Sequence, residues 1–279
     1  MPFIILKLGL GCFLAAVIAL AAWRFRSLSR SGAWGAWLEG TIIFGLGGWQ
    51  WAVVLLGFFL SSSLLTRLFK NKKSAMDEKF EKGGERDIGQ VLANGAVASL
   101  FAGLGFFFPH PWTWITFAAS LAAVNADTWA TELGILNPSQ PRLITSGRRV
   151  ERGTSGGISL YGTLAAAAGA AWIALLAVLT TPSRFQGLGG LPAGWFFLFL
   201  VMSGLAGALM DSLLGATIQG IYHCPQCDKE TEKHPTHSCG TPTVPLRGWK
   251  WVNNDLVNLA CAGMGSLFML LLHWILQVG

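Results

Sequence analysis

The chain has 279 residues, of which 52% are hydrophobic and only 12% are charged, with 13 Trp and 35 Gly. A soluble domain carries about 25% charged residues, so a large soluble domain is excluded and a single membrane domain over 1–279 is expected. The net charge of +6 calls for no nucleic-acid partner, because membrane proteins concentrate Lys and Arg in their cytoplasmic loops.

Apolar runs of about 20 residues predict membrane helices over 3–23, 50–69, 88–108, 112–133, 158–180, 193–219 and 252–277. The first run holds Lys7, lacks a basic leading segment and is followed by Arg24 and Arg26. It therefore reads as a retained transmembrane helix and not as a secretory signal. A shorter run, 34–48, holds Glu39 and closes on Gly47-Gly48, as a short tilted span or a re-entrant segment. If it crosses, and the N-terminus is outside, eighteen of the twenty basic residues fall in inner loops. These are Arg24, Arg26 and Arg30, the set from Arg67 to Arg86 that includes Lys79 and Lys82, the set from Arg142 to Arg152, and the set from Lys229 to Lys250. Only Lys7 and Arg184 fall outside. The expected fold is all-α: a polytopic bundle of seven to eight membrane segments with both termini outside. A small zinc-knuckle-like cytoplasmic insert is expected over 222–250. The outer connections are short and the inner loops long and polar, so function is expected on the cytoplasmic side.

In chain order, Arg86, Gln90 and Asn94 are spaced by four and share one helix face. Polar amides in lipid should point into the bundle, as substrate ligands or as interhelical hydrogen bonds. Asp127, with Thr128 beside it, lies one to two turns inside an apolar run, and an intramembrane carboxylate is a functional candidate. Glu132 is about 140° further round the helix, where it could equally be a solvated helix end. The stretch 142–157, RLITSGRRVERGTSGG, supplies Arg148, Arg149 and Arg152, the hydroxyls of Thr145, Ser146, Thr154 and Ser155, and Gly156 and Gly157, and opens into a helix. Glycine backbone, a helix N-terminus and Arg are suited to phosphate, although the spacing is not that of a Walker loop. A basic loop resting on anionic lipid is the alternative.

Further on, Ser203, Gly207, Asp211 and Gly215 recur every four residues, placing Asp211 at a close helix contact, with Ser212 next to it. Two carboxylates near inner helix ends, Asp127 and Asp211, suit Mg²⁺ shared with substrate phosphates. Cys224 and Cys227 have knuckle spacing, and with Cys239 and one His, either His234 or His237, they form a structural Zn²⁺ set. A helix cap accounts for one of Asn253, Asn254 and Asp255, and leaves Asn258 unexplained.

The strings ERDIGQVLANG, ADTWATELG, PRLITSGRRVERGTSGGIS, GALMDSLLGATIQ and NNDLVN, in this order, resemble the phytyl-phosphate kinase and transmembrane-protein-nineteen family, over roughly Ser31 to Gly265. The resemblance implies a multi-helix membrane protein whose plant and cyanobacterial branch phosphorylates phytyl monophosphate for tocopherol synthesis. It marks Gln90, Asn94, Asp127, Thr128, Glu132, the 145–157 loop, Asp211, Gln219, Asn254 and Asn258. It implies a prenyl phosphate and a nucleoside triphosphate, plausibly CTP, as substrates, in a bacterial inner or thylakoid-type membrane. The expected function is a membrane phosphotransferase in which Asp127, Asp211, Arg148, Arg149 and Arg152 are catalytic and His237 joins the cysteines on zinc. A lipid-phosphate carrier with an intramembrane Asp pair is the competing class.

Overall fold

Residues 2–73 and 84–278 are described in the computed structural model; Lys79 and Lys82 lie outside them. Among the described residues eight helices form the body: α1 (Pro2–Arg24), α2 (Arg30–Ile42), α3 (Trp49–Lys73), α4 (Ile88–Phe107), α5 (Pro111–Gly134), α6 (Leu160–Leu179), α7 (Ala193–Thr217) and α8 (Asn254–Val278). Six of them, all but α2 and α5, are long and apolar enough to cross a membrane. The short run expected over 34–48 is α2 continued by a π-helical turn, Ile43–Gly47. The chain leaves it through Gly48 at φ 96°, a left-handed geometry that glycine adopts without strain. The helical ends carry the expected chemistry: Ser29 caps α2, Asp87 and Gln90 form a capping box on α4, and Ser159 caps α6.

The centre of the bundle is α5. Every residue from Thr113 to Ala126 is buried. Its hydroxyls do not face lipid unsatisfied: Thr113, Thr116 and Ser120 each donate to a carbonyl of the preceding turn at 2.6–2.7 Å. Asn125 ties three helices together. Its Nδ2 donates to the Gly169 carbonyl of α6 at 2.7 Å, and its Oδ1 accepts from Ser61 of α3 at 3.1 Å. Small residues let the surrounding helices close on α5. A Cβ on Gly207 of α7 would stand 2.4 Å from the Cβ of Ala123, and one on Gly265 of α8 would stand 2.6 Å from the same atom. At the end of the bundle away from the long loops, Trp51, Trp114 and Phe117 pack with ring centroids 4.5–5.6 Å apart.

Two small sheets add to the helical expectation. β1 (Arg142–Leu143) and β2 (Gly157–Ile158) pair antiparallel and pinch the base of the Arg-Gly loop. In the insert, β3 (Ile221–Cys224) is flanked by β4 (Lys229–Thr231) and β5 (Val244–Arg247), both antiparallel to it. The insert is bound to the bundle where it leaves and rejoins it. Trp249 N–H donates to the Ile218 carbonyl at 2.9 Å, and Gly220 N–H to the Val252 carbonyl at 2.8 Å.

Gly207→Ala should lower the melting temperature in detergent, with a cost of about 1–3 kcal/mol from overpacking. Gly103→Ala, whose Cβ meets nothing within 4 Å, is the matched control and should not. Equal melting of the two variants would contradict the close α5–α7 approach.

Candidate active site at one end of the bundle

The site forms where α4, α6 and α8 begin and where α3, α5 and α7 end. A cavity of about 330 Å³ lies there. Gln90 and Asn94 line it from α4; Asp127, Thr128, Thr131 and Glu132 from α5; Asp211 and Ser212 from α7; and Asn254 and Asn258 from α8. The Gly-rich segment Arg152–Gly157 forms another wall.

The two intramembrane aspartates meet in this cavity. Asp127 and Asp211 are in side-chain hydrogen-bonding contact. The Oδ2 of Asp211 is buried and has no hydrogen-bond partner in the protein, although buried polar atoms are nearly always paired. Their meeting follows from the packing, since Gly207 lies one turn before Asp211 and is pressed against α5 next to Ala123. Glu132 is buried, not solvated, and its Oε1 accepts from Thr66 Oγ1 at 2.8 Å. Arg86 lies within electrostatic reach of it and lines the cavity.

Several sequence-marked residues have identifiable work in the fold. Gln90 Oε1 caps the Asp87 N–H at 3.3 Å, while Asn94 Nδ2 donates to the Gln90 carbonyl at 2.9 Å. Thr128 Oγ1 donates to the Val124 carbonyl at 2.8 Å. Asn253 is the residue that caps α8, accepting from Leu256 N–H at 3.1 Å, which leaves Asn254 and Asn258 to the cavity. In the Arg-Gly loop the residues separate into two groups. Arg152, Thr154, Ser155, Gly156 and Gly157 line the cavity, whereas Thr145, Ser146, Arg148 and Arg149 are exposed and do not. Gly156, at φ 85°, passes so close to α7 that a Cβ would stand 2.6 Å from the Ala216 nitrogen.

Gln219 is buried behind the wall and does not line the cavity itself. It accepts from Ser155 Oγ at 2.6 Å, and its Nε2 donates to Glu232 Oε1 at 2.9 Å. Glu232, just past β4, reaches the cavity and acts electrostatically on Asp211. Sequence reasoning missed it. The only signal was an acidic residue between the metal-ligand candidates, and its relation to Asp211 depends on the insert's fold. Arg247 of β5 completes the junction, donating to the carbonyls of Gly215 at 2.7 Å and Ser155 at 3.2 Å. A cation at the carbonyl end of α7 is favoured.

The insert carries a second centre. Ligand atoms of Cys224, Cys227, His237 and Cys239 lie within 4.8 Å of one another, a set able to hold a metal ion. His237 is thus the histidine in the set. His234 instead stacks on Tyr222, with centroids 4.3 Å apart. Hydrogen bonds from Thr241 and His237 pull the Cys239 thiol down to about 6, while the Cys227 thiol, hydrogen-bonded to Cys239, is pushed up to about 11. Three thiols crowded on one proton network are the donor set of a thiolate-binding metal.

A family model described as integral membrane protein DUF92 matches residues 13–266. This chain belongs to the DUF92 family. It is 34% identical to Protein PGR of Arabidopsis thaliana, over 90% of this chain and 91% of that protein. It is 36% identical to an uncharacterized membrane protein of Methanocaldococcus jannaschii, over 77% of this chain and 84% of that one. It is also 27% identical to Protein VTE6, chloroplastic, of A. thaliana, over 90% and 67% of the two chains. No solved structure matches it. The DUF92 assignment supports the family read from the motifs, but not the transmembrane-protein-nineteen name.

Chelation should release one metal ion per chain and make Cys224, Cys227 and Cys239 reactive to an alkylating agent. Cys227→Ser should lose the metal without chelator. Metal-free protein whose thiols label no faster than untreated protein would count against the centre.

Proposed function

We propose that this protein is a membrane phosphotransferase that converts a prenyl monophosphate, such as phytyl phosphate, to the diphosphate with a nucleoside triphosphate, such as CTP. The observation that carries this reading is the contact of Asp127 with Asp211 in a cavity walled by a Gly-rich, Arg-bearing loop. The motif resemblance to phytyl-phosphate kinases supports the substrate class, and the match to Protein VTE6, at 27% identity, is consistent with it.

The chemistry needs little covalent help from the protein. A phosphate oxygen of the prenyl monophosphate attacks the γ-phosphorus of the triphosphate. The bond from that phosphorus to the β-phosphate bridging oxygen breaks, and the nucleoside diphosphate leaves. The nucleophile is already anionic, so no general base is required, and catalysis is positioning and charge stabilisation. Asp127 and Asp211 fit a hard cation, since the buried Oδ2 of Asp211 has no partner in the protein. Mg²⁺ held there would neutralise phosphate charge. Backbone N–H groups of Ser155 and Gly156, those of Thr154 and Gly157 being donated to the Glu151 and Thr154 carbonyls, and the Arg152 guanidinium bind phosphate oxygens, with Gln90, Asn94, Thr128, Ser212, Asn254 and Asn258 as polar positioning groups. Glu132 holds Arg86 in place, and Gln219 holds Ser155. Arg148 and Arg149, on the exposed turn with Thr145 and Ser146, draw the anionic nucleotide to the site. Zinc on Cys224, Cys227, His237 and Cys239 is structural, because four protein ligands leave no open position.

The concentration of Lys and Arg in the loops at this end supports a cytoplasmic site with both termini outside. Single cysteines at Arg30, Arg148 and Lys250 should then react only with a reagent on the cytoplasmic face, and one at Arg184 only from outside.

Purified protein given phytyl phosphate, labelled CTP and Mg²⁺ should form the diphosphate. Asp127→Asn and Asp211→Asn should each reduce transfer by about 10²-fold or more with an unchanged melting temperature. Full activity in either variant, or no diphosphate with any nucleotide, would overturn the assignment.

A further inference from the structure

The cavity does not end at its carboxylates. Past Arg86 and Asn94, which line both spaces, lies a second space of about 70 Å³ between α1, α2, α3 and α4. Its character changes at that boundary. Beyond those two residues the wall is apolar throughout except for Glu39. Ala15, Ala19 and Ala22 of α1 give it one side, and Phe58 of α3 another. Arg86 stands between the two spaces, with its guanidinium carbon 5.7 Å from the centre of the Phe58 ring and Glu132 nearby on the polar side.

Glu39 is the unexplained group. It is 5% exposed, its Oε1 has no hydrogen-bond partner, and it lines the slot. Its carboxyl packs on the bare face of Gly95, where a Cβ would stand 1.9 Å from Oε2. Gly95 follows Asn94 in α4, so Glu39 lies at the depth where the lining changes from polar to apolar. A buried carboxyl oxygen without a partner is costly, and a pure hydrocarbon filling would leave it so. An occupant whose polar linkage atoms pass this point, with its chain beyond, satisfies it.

We propose that the slot between α1, α2, α3 and α4 receives the single hydrocarbon chain of an amphiphilic phosphate monoester, with Arg86, Asn94 and Glu39 at the junction of head and chain. This rests on the phosphotransferase reading only for the headgroup's fate, not for its binding. A space of about 70 Å³ walled by Ala15, Ala19 and Ala22 suits a single chain and not the two of a phospholipid. Chain selectivity then lies on α1 and α3, apart from the residues that hold phosphate.

The test uses the full chain in detergent and a farnesyl monophosphate analogue carrying a diazirine in its chain. Saturable labelling is expected on α1 near Ala15–Ala22 or on α3 near Leu55–Phe59. An unlabelled prenyl monophosphate should compete, and phosphatidic acid should not. Ala19→Phe should cut labelling at least tenfold and raise the KM for farnesyl phosphate at least tenfold. The KM for isopentenyl phosphate, which has almost no chain, should stay within twofold. Ala19→Leu, a smaller filling, should give an intermediate effect and serves if Ala19→Phe does not fold. Labelling confined to helices other than α1–α4, no saturable labelling, or competition by phosphatidic acid would overturn the slot. Labelling needs no phosphoryl transfer, so slot labelling without diphosphate formation would remove the kinase reading alone. Diphosphate formation with labelling unaffected by Ala19→Phe would remove the slot alone.

Discussion

The enclosure of α5 is the constraint on which the rest of the structure depends. A helix surrounded by other helices needs no apolar surface of its own, so it can carry Thr113, Thr116, Ser120 and Asn125 without exposing them to lipid. What it needs is close approach by its neighbours, because helix association within a membrane comes from packing and hydrogen bonds and not from hydrophobic burial. Gly169, Gly204, Gly207 and Gly265 supply that approach from three sides. With α7 seated this closely, Asp211 has nowhere to lie except against the end of α5, where Asp127 is.

The end of the bundle is built as a second tier on this first one. The loop after α5 is pinched by β1 and β2 and laid onto α7 through Gly156 and Gly215, where side chains larger than hydrogen would collide. Arg247 holds the loop, α7 and the insert at one point by donating to two of their carbonyls. Gly248 allows the return strand to pass over Gln219, with a Cβ there meeting its carbonyl oxygen at 1.9 Å. The chain Ser155–Gln219–Glu232 then connects the Gly-rich loop to the cysteine-bearing insert. The cysteine cluster is therefore not a separate module: its fold determines where an acidic side chain enters the cavity.

The site also straddles a change of medium. Its outer wall is loop backbone, hydroxyls and charge, and its inner margin is the apolar slot beyond Arg86 and Asn94. Under the proposed phosphotransfer, a water-soluble nucleotide and a membrane-bound lipid would meet at such a margin. The helix ends provide it because the lining carboxylates and amides lie in the turns nearest that end, while the slot beyond them is lined with alanine and phenylalanine.

Much of this was legible in the chain itself. Membrane helices announce their ends, because about 20 apolar residues are needed to cross and charge cannot enter cheaply. The seven long predicted runs accordingly match seven of the helices within a few residues, and 34–48 overlaps the combined α2 and π-turn segment, 30–47. Asp127, Asp211 and the cysteine set stood out because those residue types are costly or reactive where they occur. Tertiary structure alone decided the rest. It divided the Arg-Gly loop into a lining half and an exposed half, buried Glu132 against Thr66, and brought Glu232 to Asp211. None of these follows from spacing. Each depends on a contact between residues distant in sequence, set by how closely the glycine-faced helices and the folded insert approach the enclosed helix.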